Sequence, residues 1–322
     1  MHHRGKALLM CLMASAGLTL SGPASAGAAT DDVHVVREPV RAAAGPACRP
    51  TPTRFTYCEK ATNTLLVFEK KRLVGRADVV VTQAFELKAT SRDFAEDLRA
   101  EVTAATGRAV GATLTLSASC TGTCKATEKF PKMTMQVGQK ATTTINYHDT
   151  TASQNVTRTS YALTARKGPL SAASQWKSPS YRCDQQIGRS AGCVFPTVKP
   201  VLTSMSTLPE IAKNIRRIQD SGPHHYGDRT RGNPLTRTTS ATIERANRSR
   251  ACPASRKRPA GMSCDEYPFA RSNQGASRVP RKDWGWAWVP AGEQNRQGGL
   301  LSSFYSANRV LNHDAYWVQV PR

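Results

Sequence analysis

SRDFAEDLRAEVTAAT, residues 91–106, decides how the first half of this chain folds. Phe94, Leu98 and Val102 are spaced like a helix stripe, yet Phe94, Glu96, Leu98, Ala100 and Val102 also fall on one face of a strand. The surroundings decide between the two. VGRADVVVTQAFELKA (74–89) precedes it, and GATLTLSAS (111–119), ATTTINYHD (141–149) and SYALTARK (160–167) follow. These are short runs rich in Val, Thr, Leu and Tyr, separated by Gly, Asn, Ser and Asp, which is the pattern of an all-β sandwich. The stretch therefore reads as a strand, and residues 53–193 as an all-β, sandwich-like domain. No convergent set of acid, base and nucleophile falls within it, which favours a stabilising or binding module.

Working outward, residues 1–26 combine a basic start, an apolar run from about Ala7 to Leu20, Ser21-Gly22-Pro23 and the small triplet Ala24-Ser25-Ala26. That order of parts is a secretory signal peptide. The run is shorter than the roughly twenty residues a membrane span needs, so a secreted chain without stable membrane insertion is expected. Residues 27–52, rich in Pro and Ala, read as a flexible leader.

Cysteine usage agrees with export. Beyond Cys11 in the signal, the remaining eight form sequence-local couples: Cys48–Cys58, Cys120–Cys124, Cys183–Cys193 and Cys252–Cys264. An even number in an oxidising compartment implies disulfides, though spacing alone leaves the connectivity open. Only Cys120 and Cys124 are close enough for a zinc couple, and no His cluster accompanies them. The formal charge of +22 predicts a polyanionic neighbour such as nucleic acid or an anionic cell envelope.

After a Pro-containing linker, 194–207, the character changes. PEIAKNIRRIQDSG (209–222) puts Ile211, Ile215 and Ile218 at helical spacing, with Pro209 at its start and Gly222 past its end. Ser240, followed by Ile243-Glu244, looks like the cap of a second helix. Then come SCDEYPFA (263–270), a tryptophan strand WGWAWVP (284–290), a glycine turn EQNRQGG (293–299), a helix LLSSFYSANRVL (300–311) and a last strand AYWVQV (315–320). Residues 208–322 thus form a small α+β domain.

In order, the blocks PEIAKNIRRIQDSG, PLTR, ANRSRACP, SCDEYPFA, AGEQNRQGGLLSSFYSANRVL and AYWVQV resemble the NucA/NucB family of secreted bacterial deoxyribonucleases, over roughly residues 208–322 only. The resemblance implies an acidic, metal-dependent site at Asp265-Glu266. Phosphodiester hydrolysis brings a water oxygen to an already anionic phosphorus. A Mg²⁺ or Mn²⁺ ion on carboxylate oxygens neutralises charge and acidifies water. Asp265 and Glu266 are the expected metal ligands and catalytic groups, with Glu266 as ligand and Asp265 as base. Arg248 is expected to contact the scissile phosphate through its fork of donors. Asn295 and Gln297 are the amides expected to bind substrate. A Cys252–Cys264 bridge would hold the acidic pair against the preceding helix.

Two departures from the family pattern bear on activity. Asn214 stands where a His usually precedes Ile, and after Glu293 either Gln294 replaces the usual Asn or a one-residue shift recruits Asn295. Trp284, Trp286 and Trp288 alternate along one strand face, and core packing is their default role. His224-His225 and His313 read as loop residues. The expected function is a secreted, metal-dependent endonuclease acting on DNA with little sequence specificity. The alternative is a weak or inactive protein that binds DNA or wall polymer through charge.

Overall fold

The computed structural model describes residues 31–39, 48, 51–188 and 190–321, so the signal-peptide reading of 1–26 lies outside the described residues. The fold is mostly β, with 45% strand and 17% helix. Strands β1 (Asp32–Pro39), β2 (Thr56–Glu69), β3 (Arg72–Glu86), β4 (Asp93–Gly107), β5 (Thr113–Ser119), β6 (Cys124–Thr127), β7 (Met133–Thr134) and β8 (Lys140–Asp149) come first. β9 (Gln154–Thr157), β10 (Ser160–Lys167), β11 (Leu170–Lys177), β12 (Tyr181–Asp184) and β13 (Gly192–Val194) follow. A curled antiparallel sheet in the order β1-β2-β3-β4-β8-β6 shares one apolar core with the sheet β11-β10-β5-β7.

The disputed stretch is β4. Phe94, Glu96, Leu98, Ala100 and Val102 are all buried and their neighbours are not, the period-two signature of a strand with one face on a core. It pairs with β3 on one side and β8 on the other; a helix here would leave both of those strands with unpaired edges. Its inward Glu96 accepts hydrogen bonds from Tyr147 Oη at 2.6 Å and Tyr161 Oη at 2.8 Å, and burial pushes its pKa up to about 7. One boundary needs correcting. Within 27–52, read as a flexible leader, residues Asp32–Pro39 form edge strand β1, which pairs along its length with β2. Composition hid this, because an edge strand takes its order from its neighbour.

The four cysteine couples are bonded as the sequence suggests: Cys48–Cys58, Cys120–Cys124, Cys183–Cys193 and Cys252–Cys264. Among the described residues no helix is long and apolar enough to cross a membrane.

The C-terminal part holds β14 (Val201–Leu202), α1 (Pro209–Ser221), β15 (Leu235–Thr236), α2 (Ala241–Ala251), β16 (Met262–Tyr267), β17 (Gly285–Pro290), α3 (Ala291–Ala307) and β18 (Ala315–Val318). β14-β18-β15 and the β16-β17 hairpin are its two sheets. A second core gathers Ile211, Ile215 and Ile218 of α1 with Val289, Tyr305, Tyr316 and Val318. The segment read as a linker, 194–207, is not free: Phe195 is buried in the first core, and Leu202 and Met205 in the second. EQNRQGG is not a turn but the opening of α3. Its glycines 298 and 299 lie on the exposed side, where the helix carries their entropic cost. That helix ends at Ala307 rather than Leu311, because Arg309 takes a left-handed φ of 45°.

Charged side chains join the two cores. Arg309 donates to Asp184, to Ala89 O at 2.8 Å and to Ser190 O at 2.9 Å. In return, Arg182 and Arg54 donate to Asp314 at 2.8 and 2.5 Å. Arg309, Asp184, Arg182 and Arg54 are all at most 4% exposed.

Candidate active site

In SCDEYPFA the residues Ser263–Tyr267 belong to strand β16, and this fixes what its two acids can do. Consecutive strand residues point to opposite faces. β16 is in register with β17, Asp265 opposite Ala287 and Glu266 opposite Trp286. Asp265 turns inward towards α1 and α3, and Glu266 turns outward into a cleft of about 430 Å³ lined by Glu244, Arg248, Glu266, Gln294, Asn295 and Gln297, among others. The expectation that both carboxylates share one metal is corrected on this ground: Asp265 does not line the cleft.

Asp265 is 1% exposed. Its Oδ2 accepts from Asn214 Nδ2 at 2.8 Å and its Oδ1 from Gln297 Nε2 at 2.7 Å. Arg217 holds Asn214 Oδ1 at 2.7 Å from behind and also donates to Trp286 O. On the other side Gln294 Nε2 donates to Gln297 Oε1 at 3.0 Å. The result is a chain of donors, Arg217 to Asn214 to Asp265 from one side and Gln294 to Gln297 to Asp265 from the other. It ends at Gln294 Oε1, which is buried and has no hydrogen-bond partner. Burial raises the Asp265 pKa to about 6, against the lowering effect of the two amide donors.

Glu266 is 5% exposed and faces Arg248 Nη2 at 3.4 Å. Burial lifts its pKa to about 7, opposed by the Arg248 charge. Arg248 lies on α2, whose start is capped by Ser240 Oγ accepting from Ile243 N. α2 is fastened to the site by Asn247, which donates to Ala270 O and Ser272 O and accepts from Ser277 N and Oγ. Gly275 approaches Asn247 so closely that an added Cβ would lie 2.2 Å from its amide, so only glycine fits. The Cys252–Cys264 bridge ties the C-cap of α2 to β16.

Of the residues picked out by sequence, Glu266, Arg248, Asn295 and Gln297 meet in the cleft, and Asp265 sits beneath it. Glu293 is elsewhere, its Oε2 accepting from Glu210 N and Ile211 N at the start of α1. Asn214 and Gln294, visible in the sequence as departures, are the two outer members of the amide chain. Arg217 and Glu244 were missed; the i, i+3 spacing of Asn214 with Arg217, and of Gln294 with Gln297, is the signal that finds such pairs. Trp284 is buried beside Ala251 and Ala276, while Trp286 and Trp288 are half-buried on the Glu266 face. His224 is held by buried Asp283 at 2.8 Å, His313 is near Asn273, and among the described residues no histidine lines the cleft.

A divalent cation was the expected cofactor. Among the described residues no group of three or more His, Cys, Asp or Glu side chains is placed to hold a metal. The cleft instead offers the Glu266 and Glu244 carboxylates, with Gln294 on its wall and its Oε1 buried without a hydrogen-bond partner. An all-oxygen set with one or two carboxylates suits Mg²⁺ or Mn²⁺, which keep several waters and take further oxygens from a phosphate.

The cleft sets two arginines, Arg248 and Arg271, beside two carboxylates, Glu244 and Glu266, and three side-chain amides, a set of groups able to contact a phosphate ester. Residues 218–319 match the family described as Deoxyribonuclease NucA/NucB, in agreement with the sequence resemblance. The match covers the C-terminal part, begins inside α1 and supports a nuclease with DNA as substrate. No curated protein matches the chain.

Proposed function

We propose that this chain is a secreted, metal-dependent endonuclease that hydrolyses DNA phosphodiester bonds in the cleft between α2, β16 and α3. The observation that carries the reading is Glu266, a buried carboxylate with its pKa near 7, facing Arg248 within the segment that matches the deoxyribonuclease family. Two domains fit this division, the all-β part as support and the C-terminal α+β part as nuclease.

In the proposed reaction Arg248 receives the non-bridging oxygens of the scissile phosphate with its planar fork. Asn295, exposed on the cleft wall, donates its amide to the adjoining phosphate. Glu266 and Gln294 Oε1 would hold Mg²⁺ or Mn²⁺, which supplies charge neutralisation and a more acidic water. Asp265 is a positioning residue: with both oxygens occupied by amides, it fixes Gln297, and through it Gln294, at the cleft floor. Substrate contacts of this kind run to the backbone rather than to base edges, so little sequence specificity is expected. Export fits the four disulfides, and the basic surface suits an anionic envelope as well as DNA.

Supercoiled plasmid incubated with Mg²⁺ or Mn²⁺ tests the proposal. Nicking that stops on chelation and falls at least a hundredfold in Glu266→Gln supports it. Plasmid retarded in a gel but never cut supports the alternative of a charge-driven binder.

A further inference from the structure

Between Cys252 and Cys264 lies a loop that the proposed cleavage does not use. It reads PASRKRPAGMS, with three basic residues and no acid. It leaves the C-cap of α2 and returns as β16, two residues before Glu266, and the disulfide closes its base. Three backbone hydrogen bonds hold its path: Arg256 N to Pro253 O, Met262 N to Pro259 O, and Ala291 N, at the start of α3, to Gly261 O. Gly261, at φ +72°, makes the bend into the strand.

The three basic side chains are not equivalent. Arg256 is half-buried, its guanidinium 3.5 Å above the ring of Trp286. Trp286 is the cross-strand partner of Glu266, and directly opposed residues share a sheet face. The stacked arginine therefore anchors the loop on the same face as the cleft carboxylate. Stacking uses the flat faces of the guanidinium and leaves its outer N–H edge to donate; Arg256 Nε itself is buried and has no hydrogen-bond partner. Lys257 and Arg258 follow directly, both exposed, and neither belongs to an ion pair among the described residues. Elsewhere on the C-terminal part, exposed arginines such as Arg231 and Arg271 are matched by Asp220, Asp228 and Glu244.

We propose that the disulfide-closed loop 252–264 is a second polynucleotide contact, in which Arg256 locked on Trp286 holds Lys257 and Arg258 against backbone phosphates flanking the one that is cut. The idea rests on the nuclease reading for its substrate, but its test does not. Each phosphate contact releases counterions, so removing one lowers the slope of log affinity against log salt by about 0.9 for duplex DNA.

The experiment measures binding of a labelled short DNA duplex by fluorescence anisotropy between 50 and 200 mM salt, in the non-cutting Glu266→Gln background. Adding Lys257→Gln with Arg258→Gln is expected to lower the slope by about 1.8 and to weaken low-salt binding about tenfold or more. Lys70→Gln with Lys71→Gln, on the distant β2–β3 turn, removes the same charge and is expected to leave the slope unchanged. Arg256→Lys keeps the charge but loses the planar stack, and is expected to lower the slope by at least half as much as the double variant does. An unchanged slope in the loop variant, or an equal fall in the Lys70/Lys71 variant, overturns the proposal. In otherwise native protein the loop variant is expected to raise KM with kcat within twofold. Cutting with an unchanged slope sinks the loop alone, whereas a fallen slope in a protein that never cuts sinks the nuclease reading alone.

Discussion

Replacing Arg309 with Met tests whether the β part is integral to the nuclease part. The Arg309 guanidinium is 1% exposed and donates to both carboxylate oxygens of Asp184, to Asp184 O at 2.8 Å, and to the carbonyls of Ala89 and Ser190. Met fills similar volume but returns none of these bonds. Breaking one side of a buried ion pair costs about 3–5 kcal/mol. Asp184, itself 0% exposed, keeps Arg182 Nε at 3.3 Å and Gln186 N at 3.2 Å, so the lower end, about 3 kcal/mol, is expected. At about 2–4 °C per kcal/mol for large domains, that is a Tm lower by roughly 6–12 °C. Scanning calorimetry is the assay, and the expected trace is one transition moved down as a unit. Because Arg54 and Arg182 reach back to Asp314, Asp314→Asn should lower the same transition. A shift under 2 °C, or two separate transitions of which only one moves, refutes the claim that these charges weld the two cores together.

Glu96→Gln tests the buried acid of the β part. Its folded pKa of about 7 is above the ordinary 4.5, so the folded state binds the proton more tightly. Stability from this group is full below about pH 4.5 and lost as pH rises towards 7, by on the order of 3 kcal/mol. Gln still accepts from Tyr147 and Tyr161, so the variant should show a flatter Tm between pH 5 and 7, and an unaltered pH profile counts against the assignment. Asn214→Ala leaves Asp265 Oδ2 without its donor, for which a loss of about 1–3 kcal/mol is expected. DNA cleavage should drop about tenfold while affinity for DNA is unchanged; a parallel loss of affinity argues against a positioning role. Changing Cys252 and Cys264 to Ser opens a twelve-residue separation and should cost about 2–3 kcal/mol. Activity should fall further than chemical denaturation midpoints alone explain, because β16 carries Glu266.

Much of this was readable in the sequence, for physical reasons that differ by element. The alternation Phe94, Glu96, Leu98, Ala100, Val102 identified β4 because a one-sided core imposes period two. The caps Pro209 and Ser240 marked α1 and α2, since local hydrogen-bonding needs select local residues. The cysteine couples were legible because each closes a short loop. Long-range order left no such trace. Arg309 and Asp184 are 125 residues apart, and nothing in either neighbourhood announces the pair. Strand β1 within 27–52 exists through its ladder to β2. The start of α3 was hidden because EQNRQGG carries two glycines. Its helical form is decided by Gln297 reaching Asp265 and Leu301 entering the core. Asp265-Glu266 was read as a motif before it was read as a strand, and the strand is what sends its halves apart.

That separation keeps the two acids from titrating as one shared site. Two carboxylates sharing one site repel, and one of them ends up neutral near pH 7. On opposite faces of β16 the repulsion becomes secondary: for Glu266, burial acts most strongly, the Arg248 attraction next, and the Asp265 charge only after it. Asp265 meets its own desolvation with two amide donors rather than with a cation. Each carboxylate thus has its own compensating partner, and under the proposed function a DNA phosphate entering the cleft would meet Arg248 and one acid, not two. The strand enforces this division through its ladder to β17 and its disulfide to α2. A one-residue slip of β16 against β17 would exchange the two faces, turning Asp265 to the cleft and Glu266 towards Asn214 and Gln297. Register, more than the identity of either acid, therefore sets which carboxylate meets the substrate.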